Sequence, residues 1–421
     1  MNNEYVFAHL TIIILVAAVS GILLARLNQP IMVGYILAGI MFGPSGFSFI
    51  SSQEQIQFYS ELGILLLLFV IGIELDIRSF IRMWKIPTLF TVIQVIVNAG
   101  IAVALSFCLG MNTYVLLLIA FITSLSSTAA IVKVLELIGE YRTDVGYITI
   151  GVLVAQDMAI VPMMLLMKRS GSFDSSVLVD LGVAVGIIVL LIRYLGKKGK
   201  FKISTEYLLP SSELTPVVTL GICFTVSSLV VMFGLSEAYG AFLAGLCVGN
   251  TQERQNILSN IKPIQNVLLM TFFLSVGLMF DLSFLFAHWS TITMALLGIT
   301  LWKAIFNTVI LKVFSIELAK AASIGIILSQ LGEFSLILAN VAAQTSIIDE
   351  FGQKLVICVT ALSLSMSSVF VSLSTRTKNL SFVGDNSIGS ILKTIISMKF
   401  SKEVRTLTIA YQKMRTSGRA D

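Results

Sequence analysis

The chain has 421 residues, of which 56% are hydrophobic and only 12% charged, with a net charge of +5 and a mean hydropathy of +0.94. Soluble domains carry about 25% charged residues, so this composition excludes a water-soluble globular protein and defines a membrane protein. The surplus of Lys and Arg falls in short loops and the C-terminal tail, which excludes a nucleic-acid surface and reports membrane topology instead.

Apolar windows between charge or turn clusters predict thirteen spans, near 5–25, 30–43, 59–75, 86–108, 113–137, 145–167, 176–195, 213–233, 238–249, 264–281, 290–311, 319–345 and 353–375. The first lacks a basic leader and a small-residue cleavage site, so it is expected to be a retained helix. The second and ninth are short and glycine-rich, a pattern of interrupted or tilted helices packed inside protein. Cys108, Cys223, Cys247 and Cys358 are scattered through apolar runs without histidine company, which predicts packing roles and no disulfide or zinc site.

Basic loop residues alternate between the two sides. Arg26, the group Arg78, Arg82 and Lys85, then Lys133, Arg142, the cluster from Arg193 to Lys202, Arg254, Lys262, Lys312 and Lys320 share one side; Lys168 and Arg169 lie on the other, with Lys354 at its margin. The positive-inside rule makes the first side cytoplasmic, with the N-terminus outside and the C-terminus inside.

The chain resembles itself at an offset of about 205 residues: Ala38/Ala244, Gly72/Gly277, Asp76/Asp281 and Ser124/Ser329 share nearly the same separation. The first repeat runs over about 5–167, a linker helix over 176–195 and the second repeat over about 213–375, followed by a basic tail at 376–421. A single linker span inverts the second repeat, the arrangement of alternating-access transporters whose sites lie at mid-membrane on discontinuous helices.

Polar residues inside the spans mark candidate chemistry. Asp157 is the only charge between 145 and 167, and a charge at the bilayer centre costs at least about 2.5–3.5 kcal/mol, so it reads as an ion or proton site. A structural Asp paired with a basic residue elsewhere is the alternative. The neighbouring Gln156 cannot titrate, which leaves one exchangeable charge per cycle. The fifth span carries Thr123, Ser124, Ser126, Ser127 and Thr128, and its repeat partner carries Ser329, Gln330, Gly332 and Glu333; both read as helix breaks whose freed backbone groups face a cavity, or as small residues permitting close packing. Lys303 is an isolated charge whose repeat position holds Asn98. Its expected partner is Asp157 or Glu333, and at Asp157 the ammonium would compete with proton and cation; a purely structural lysine is the alternative. His9 and His288 fall near span ends and read as interfacial. No nucleotide loop, zinc spacing or nucleophile elbow occurs, so no cofactor and no enzymatic activity are expected.

The segments Gly34-Tyr-Ile-Leu-Ala-Gly-Ile-Met-Phe-Gly-Pro44, Glu61-Leu-Gly-Ile-Leu-Leu-Leu-Leu-Phe-Val-Ile-Gly-Ile-Glu-Leu-Asp76, Ser124-Leu-Ser-Ser-Thr-Ala129, Gln156-Asp157 and Ser329-Gln-Leu-Gly-Glu-Phe334, in this order and spacing, resemble the Kef-type branch of the cation:proton antiporter-2 family. The resemblance covers about residues 5–375. It implies an all-α fold with two crossed discontinuous helices, a transport domain beside a dimerisation domain, and a homodimer in the cell membrane. It also implies that Asp157 binds the ion, K⁺ or Na⁺, that Gln156 is the neutral neighbour of potassium-transporting members, and that Lys303 and Glu333 are the basic and acidic core residues. The expected activity is electroneutral exchange of a monovalent cation, K⁺ before Na⁺, for H⁺. A sodium/proton antiporter, a cation channel and a non-transporting sensor are the alternatives; an intramembrane aspartyl protease lacks its second aspartate. The tail mixes Lys393, Lys399 and Lys402 with Ile388, Leu392 and Ile396, a pattern expected to lie on anionic lipid or to dock a separate regulatory subunit, unless it is a disordered basic segment.

Overall fold

In a computed structural model, residues 4–26, 29–48, 53–74, 85–168, 214–232 and 237–366 are described, with short pieces between 182 and 194 and between 369 and 374. The tail, Asp76 and most of the expected linker helix lie outside the described residues. The first half comprises α1 (Glu4–Arg26), α2 (Ile31–Phe42), α3 (Gln53–Glu74), α4 (Lys85–Leu109), α5 (Thr113–Ser124), α6 (Thr128–Leu137) and α7 (Asp144–Lys168). The second comprises α8 (Leu214–Met232), α9 (Glu237–Gly249), α10 (Arg254–Leu278), the short α11 (Leu282–Ala287), α12 (Trp289–Val313), α13 (Leu318–Ile327), α14 (Glu333–Gln344) and α15 (Glu350–Ser365). No strand occurs among the described residues.

Length and apolarity make these helices, and local side chains set several of their ends. Helices α4, α7, α8, α10 and α12 are each long and apolar enough to cross a bilayer alone. Asn112 caps α5 by accepting the Tyr114 N–H at 2.9 Å, and Asp349 caps α15 by accepting the Gly352 N–H at 2.8 Å. The predicted fifth and twelfth spans are broken in their middles, as α5/α6 and α13/α14. The tenth begins earlier than its hydropathy indicated: the polar run from Arg254 is already helical, because Arg254 donates to the carbonyls of Ile73 and Glu74 and satisfies the end of α3.

The helices pack in two groups. Helices α1, α2, α3, α8, α9 and α10 form one; α4–α7 and α12–α15 form the other, with α15 touching α2 between them. The second and ninth spans, expected to be interrupted or tilted, are unbroken helices. Their glycines serve close crossing instead. A Cβ at Gly39 would stand 2.7 Å from the Gly277 Cα, and one at Gly245 would stand 3.1 Å from the Gly72 Cα and 1.9 Å from the Phe69 carbonyl. These two crossings, α2 on α10 and α9 on α3, exchange places under the repeat offset, so the inverted repeat is written in the packing itself. In lipid, where helix association depends on such close contact, bulk at either crossing is costly. Gly245→Val is expected to cost about 3 kcal/mol or more and to reduce the yield of monodisperse protein, whereas Gly100→Ala, with open space around its position, leaves both unchanged.

One polar corner ties the groups at their other meeting point. Asp281 caps α11 by accepting the Phe284 N–H at 3.0 Å, accepts from the Ser283 hydroxyl at 2.6 Å and pairs with Lys354 of α15 at 2.9 Å. The Ser283 hydroxyl, the Lys354 ammonium and the Phe284 N–H hold the Asp281 carboxyl well below the usual carboxylate range. A carboxyl lowered on folding contributes stability above its unfolded value and loses it as pH falls through its folded value. Asp281→Asn should therefore lower the melting temperature at neutral pH, and the difference from wild type should shrink as pH drops below about 4. A difference that persists unchanged in acid would mean that the carboxylate charge contributes nothing.

Candidate ion-binding site

The two broken helices cross at their breaks. The Ser126 hydroxyl donates to the Leu328 carbonyl at 2.6 Å, and a Cβ at Gly332 would stand 2.7 Å from the Ser126 carbonyl carbon, so only glycine lets the backbones meet. Helix α15 fixes the second break: the Leu331 N–H donates to the Ser363 hydroxyl at 3.0 Å, and the Gln330 amide donates to the Ser363 carbonyl at 3.2 Å.

The two breaks together create four half-helix ends inside the protein, two with free carbonyls and two with free N–H groups. Lys303, 1% exposed on α12, donates to the Leu125 carbonyl and to the Gln330 carbonyl at 3.4 Å, one from each break. It therefore neutralises the negative ends. Glu333 opens α14 and accepts the Ser127 hydroxyl at 2.8 Å, while Ser127 caps α6 by accepting the Ala130 N–H at 3.3 Å. Its carboxylate lies between the two positive ends. The expected pairing of Lys303 with Asp157 or Glu333 is not formed, because freed carbonyls at the breaks offer the ammonium nearer acceptors.

Asp157 has a hydroxyl for its partner. It is 6% exposed in the middle of α7, with the Thr128 hydroxyl at 3.1 and 3.2 Å from its two oxygens. Among the described residues no cation lies within ion-pair distance of it. Thr128 and Glu333 occupy equivalent positions in the two repeats, each the first residue of its second half-helix. Downstream, Pro162 has no N–H to donate, so the Met158 carbonyl, next to Asp157, lacks its helical partner.

The predicted hydroxyls therefore divide by task. Thr123 and Ser124 bond back to the Ala120 carbonyl at 2.9 and 2.7 Å, and Ser329 to the Ile326 carbonyl at 2.6 Å. Ser126 crosses to the other break, Ser127 caps, and Thr128 reaches Asp157. Two residues absent from the sequence-based candidates join the site. Gln156 donates through its amide to Gln94 of α4 at 2.9 Å, and Gln94 donates to Asn307 of α12 at 2.8 Å. The sequence signal was there: Gln94 and Asn307 are amides in apolar spans, each one helical turn from another polar residue, Asn98 or Lys303.

Crossed broken helices beside a buried carboxylate that no cation pairs among the described residues, set in an inverted repeat, define an ion-coupled secondary transporter. Comparison with known proteins agrees. Residues 13–375 match the family model described as sodium/hydrogen exchanger, transmembrane. The iron transporter MagA of Paramagnetospirillum magneticum is 39% identical over 361 residues, 85% of this chain and 82% of that protein. K(+) efflux antiporter 4 of Arabidopsis thaliana is 30% identical over 84% of this chain, and the glutathione-regulated potassium-efflux system protein KefC of an Enterobacter species is 30% identical over 83%. The matched region spans 61% and 57% of those two longer proteins. The sodium proton antiporter MjNhaP1 from Methanocaldococcus jannaschii, solved at pH 8, shares the fold, with a TM-score of 0.66 at 16% identity over 91% of this chain and 99% of that one. The chain belongs to the sodium/hydrogen exchanger family, on its Kef-type side.

Proposed function

We propose that the protein exchanges one monovalent cation, K⁺ before Na⁺, for one proton at Asp157, by elevator-like movement of the α4–α7 and α12–α15 group against the other. The observation that carries this reading is the division of charges at the crossing. Lys303 and Glu333 are each engaged by helix ends, so Asp157 is the group free to alternate between proton and cation. One carboxylate serving both ions exchanges equal charge and makes the cycle electroneutral. Gln156 adds a neutral amide beside it, a weak field that suits a large, easily dehydrated ion.

The proposed setting is the cell membrane, with the N-terminus outside, a homodimer built on the first group, and the tail directed to lipid or to a cytoplasmic regulatory subunit. The name of the MagA relative raises iron as a second cargo. Iron sites favour clustered carboxylate, imidazole or thiolate ligands, and among the described residues no three His, Cys, Asp or Glu side chains gather. The group that meets Asp157 is a hydroxyl, and the residue before it carries a neutral amide, which favours an alkali ion.

Exchange in proteoliposomes containing a pH dye tests the reading with K⁺, Rb⁺, Na⁺, Li⁺ and Fe²⁺ in parallel. The expected order has K⁺ and Rb⁺ ahead of Na⁺ and Li⁺, with no Fe²⁺-driven proton movement. Faster Na⁺ exchange would reassign the cargo and keep the mechanism; ion current without proton coupling would make the protein a channel.

A further inference from the structure

We propose that Gln94 and Asn307 are positioning residues that set the cation preference of the site, by holding the Gln156 amide with its carbonyl oxygen open for the ion. The inference rests on the assignment of Asp157 as the exchange site and adds the residues that shape it.

Three side-chain amides from three helices form one buried chain. Gln156, Gln94 and Asn307 are 1%, 0% and 0% exposed. Gln156 Nε2 donates to Gln94 Oε1 at 2.9 Å, and Gln94 Nε2 donates to Asn307 Oδ1 at 2.8 Å. The two ends of the chain, Gln156 Oε1 and Asn307 Nδ2, are buried without a protein partner. Buried polar atoms are rarely left so, and Gln156 Oε1 belongs to the residue that immediately precedes the ion-binding carboxylate.

The polarity of such a chain is all-or-none. An amide that accepts at its oxygen donates at its nitrogen, so the three groups must point the same way along the chain. With Asn307 accepting from Gln94, Gln94 accepts from Gln156 and a carbonyl oxygen is left free on the residue that precedes Asp157 in α7. Reversing all three would leave an NH₂ group there, which repels a cation. Asn307 therefore acts on the ion at a distance, through Gln94, and neither residue needs to touch it. The energetic consequence falls on ion binding. A rigidly held carbonyl replaces part of the hydration shell, and its reach fixes which ionic radius it fits. Loss of the hold leaves Asp157 able to exchange but frees the amide to rotate, weakening cation binding and blurring the choice of ion.

The experiment measures KM and kcat for K⁺ and for Na⁺ with the full-length protein in proteoliposomes, for wild type, Gln94→Leu, Asn307→Leu and the double variant. Each single variant is expected to raise the KM for K⁺ by about tenfold with kcat held within about threefold, and to shift the ratio of the K⁺ and Na⁺ KM values by about fivefold or more. The double variant should be no worse than Gln94→Leu alone, since Asn307 acts only through Gln94. Gln94→Asn, which keeps the amide but shortens its reach, should move the ratio in the same direction in a well-folded protein. A KM ratio within about twofold of wild type in Gln94→Asn and in both single variants, whatever their thermal stability, would overturn the proposal. So would fully additive effects in the double variant. Failure of the underlying assignment looks different: Asp157→Asn would then exchange like wild type, whatever Gln94 does.

Discussion

Asp157→Asn is expected to abolish exchange of every cation while the protein remains folded and of unchanged oligomeric size. The substitution keeps the shape of the side chain and an oxygen for the Thr128 hydroxyl, whose two contacts at 3.1 and 3.2 Å are the polar contacts Asp157 makes among the described residues. It removes the charge that binds either ion. Among the described residues no other ionisable group at the crossing is free to substitute, because Lys303 and Glu333 are committed to backbone ends and to Ser127. Stability should hold or rise, since the fold no longer buries an unpaired carboxylate. Transport assays across pH 6 to 9 with thermal unfolding of the same preparation check both parts; residual exchange at the wild-type rate would move the site elsewhere.

Lys303→Leu is expected to act in the opposite way, on the fold more than on the chemistry. Its ammonium satisfies the Leu125 and Gln330 carbonyls at the breaks, and a leucine leaves both without that donor in a dry interior. At about 1–3 kcal/mol for each unsatisfied group, the loss is about 2–6 kcal/mol, large against the net stability of a membrane protein core. Protein that survives should keep the wild-type dependence on pH and on cation concentration. If stability is untouched while cation affinity rises, the lysine is instead a competitor for Asp157, as its isolation in the sequence first indicated.

The contrast between these two residues shows what the sequence carried and what it did not. Asp157 stood out because a charge in an apolar span is expensive wherever it lies, and that argument needs no partner. Lys303 stood out for the same reason, but its partner was unreadable: the acceptors are backbone carbonyls, which every residue has and which become available only where a helix breaks. The breaks themselves were legible from Ser and Thr runs and from Gly332, while their crossing was implied only by the family resemblance. The glycines of α2 and α9 were legible as special but not in kind. Composition cannot tell a glycine that interrupts a helix from one that admits a neighbouring backbone, and the contacts of Gly39 with α10 and Gly245 with α3 decide for the second. Gln94 and Asn307 escaped notice because a single amide in an apolar span is inexpensive, and only the fold joins three into a chain. The short α11 was missed because six residues between two long spans leave little periodic signal.

The central claim is that one proton and one cation compete for one carboxylate. The most direct measurement is the KM for K⁺ as a function of pH on both sides of the proteoliposome, from pH 6 to 9. Single-site competition predicts that on the acid side KM rises about tenfold for each unit fall in pH, a slope of about −1 in log KM against pH. The maximal rate should stay insensitive to an imposed membrane potential. A KM independent of pH, or a slope near −2 with voltage-dependent exchange, would contradict the account by showing that Asp157 is bypassed or that a second group shares its proton.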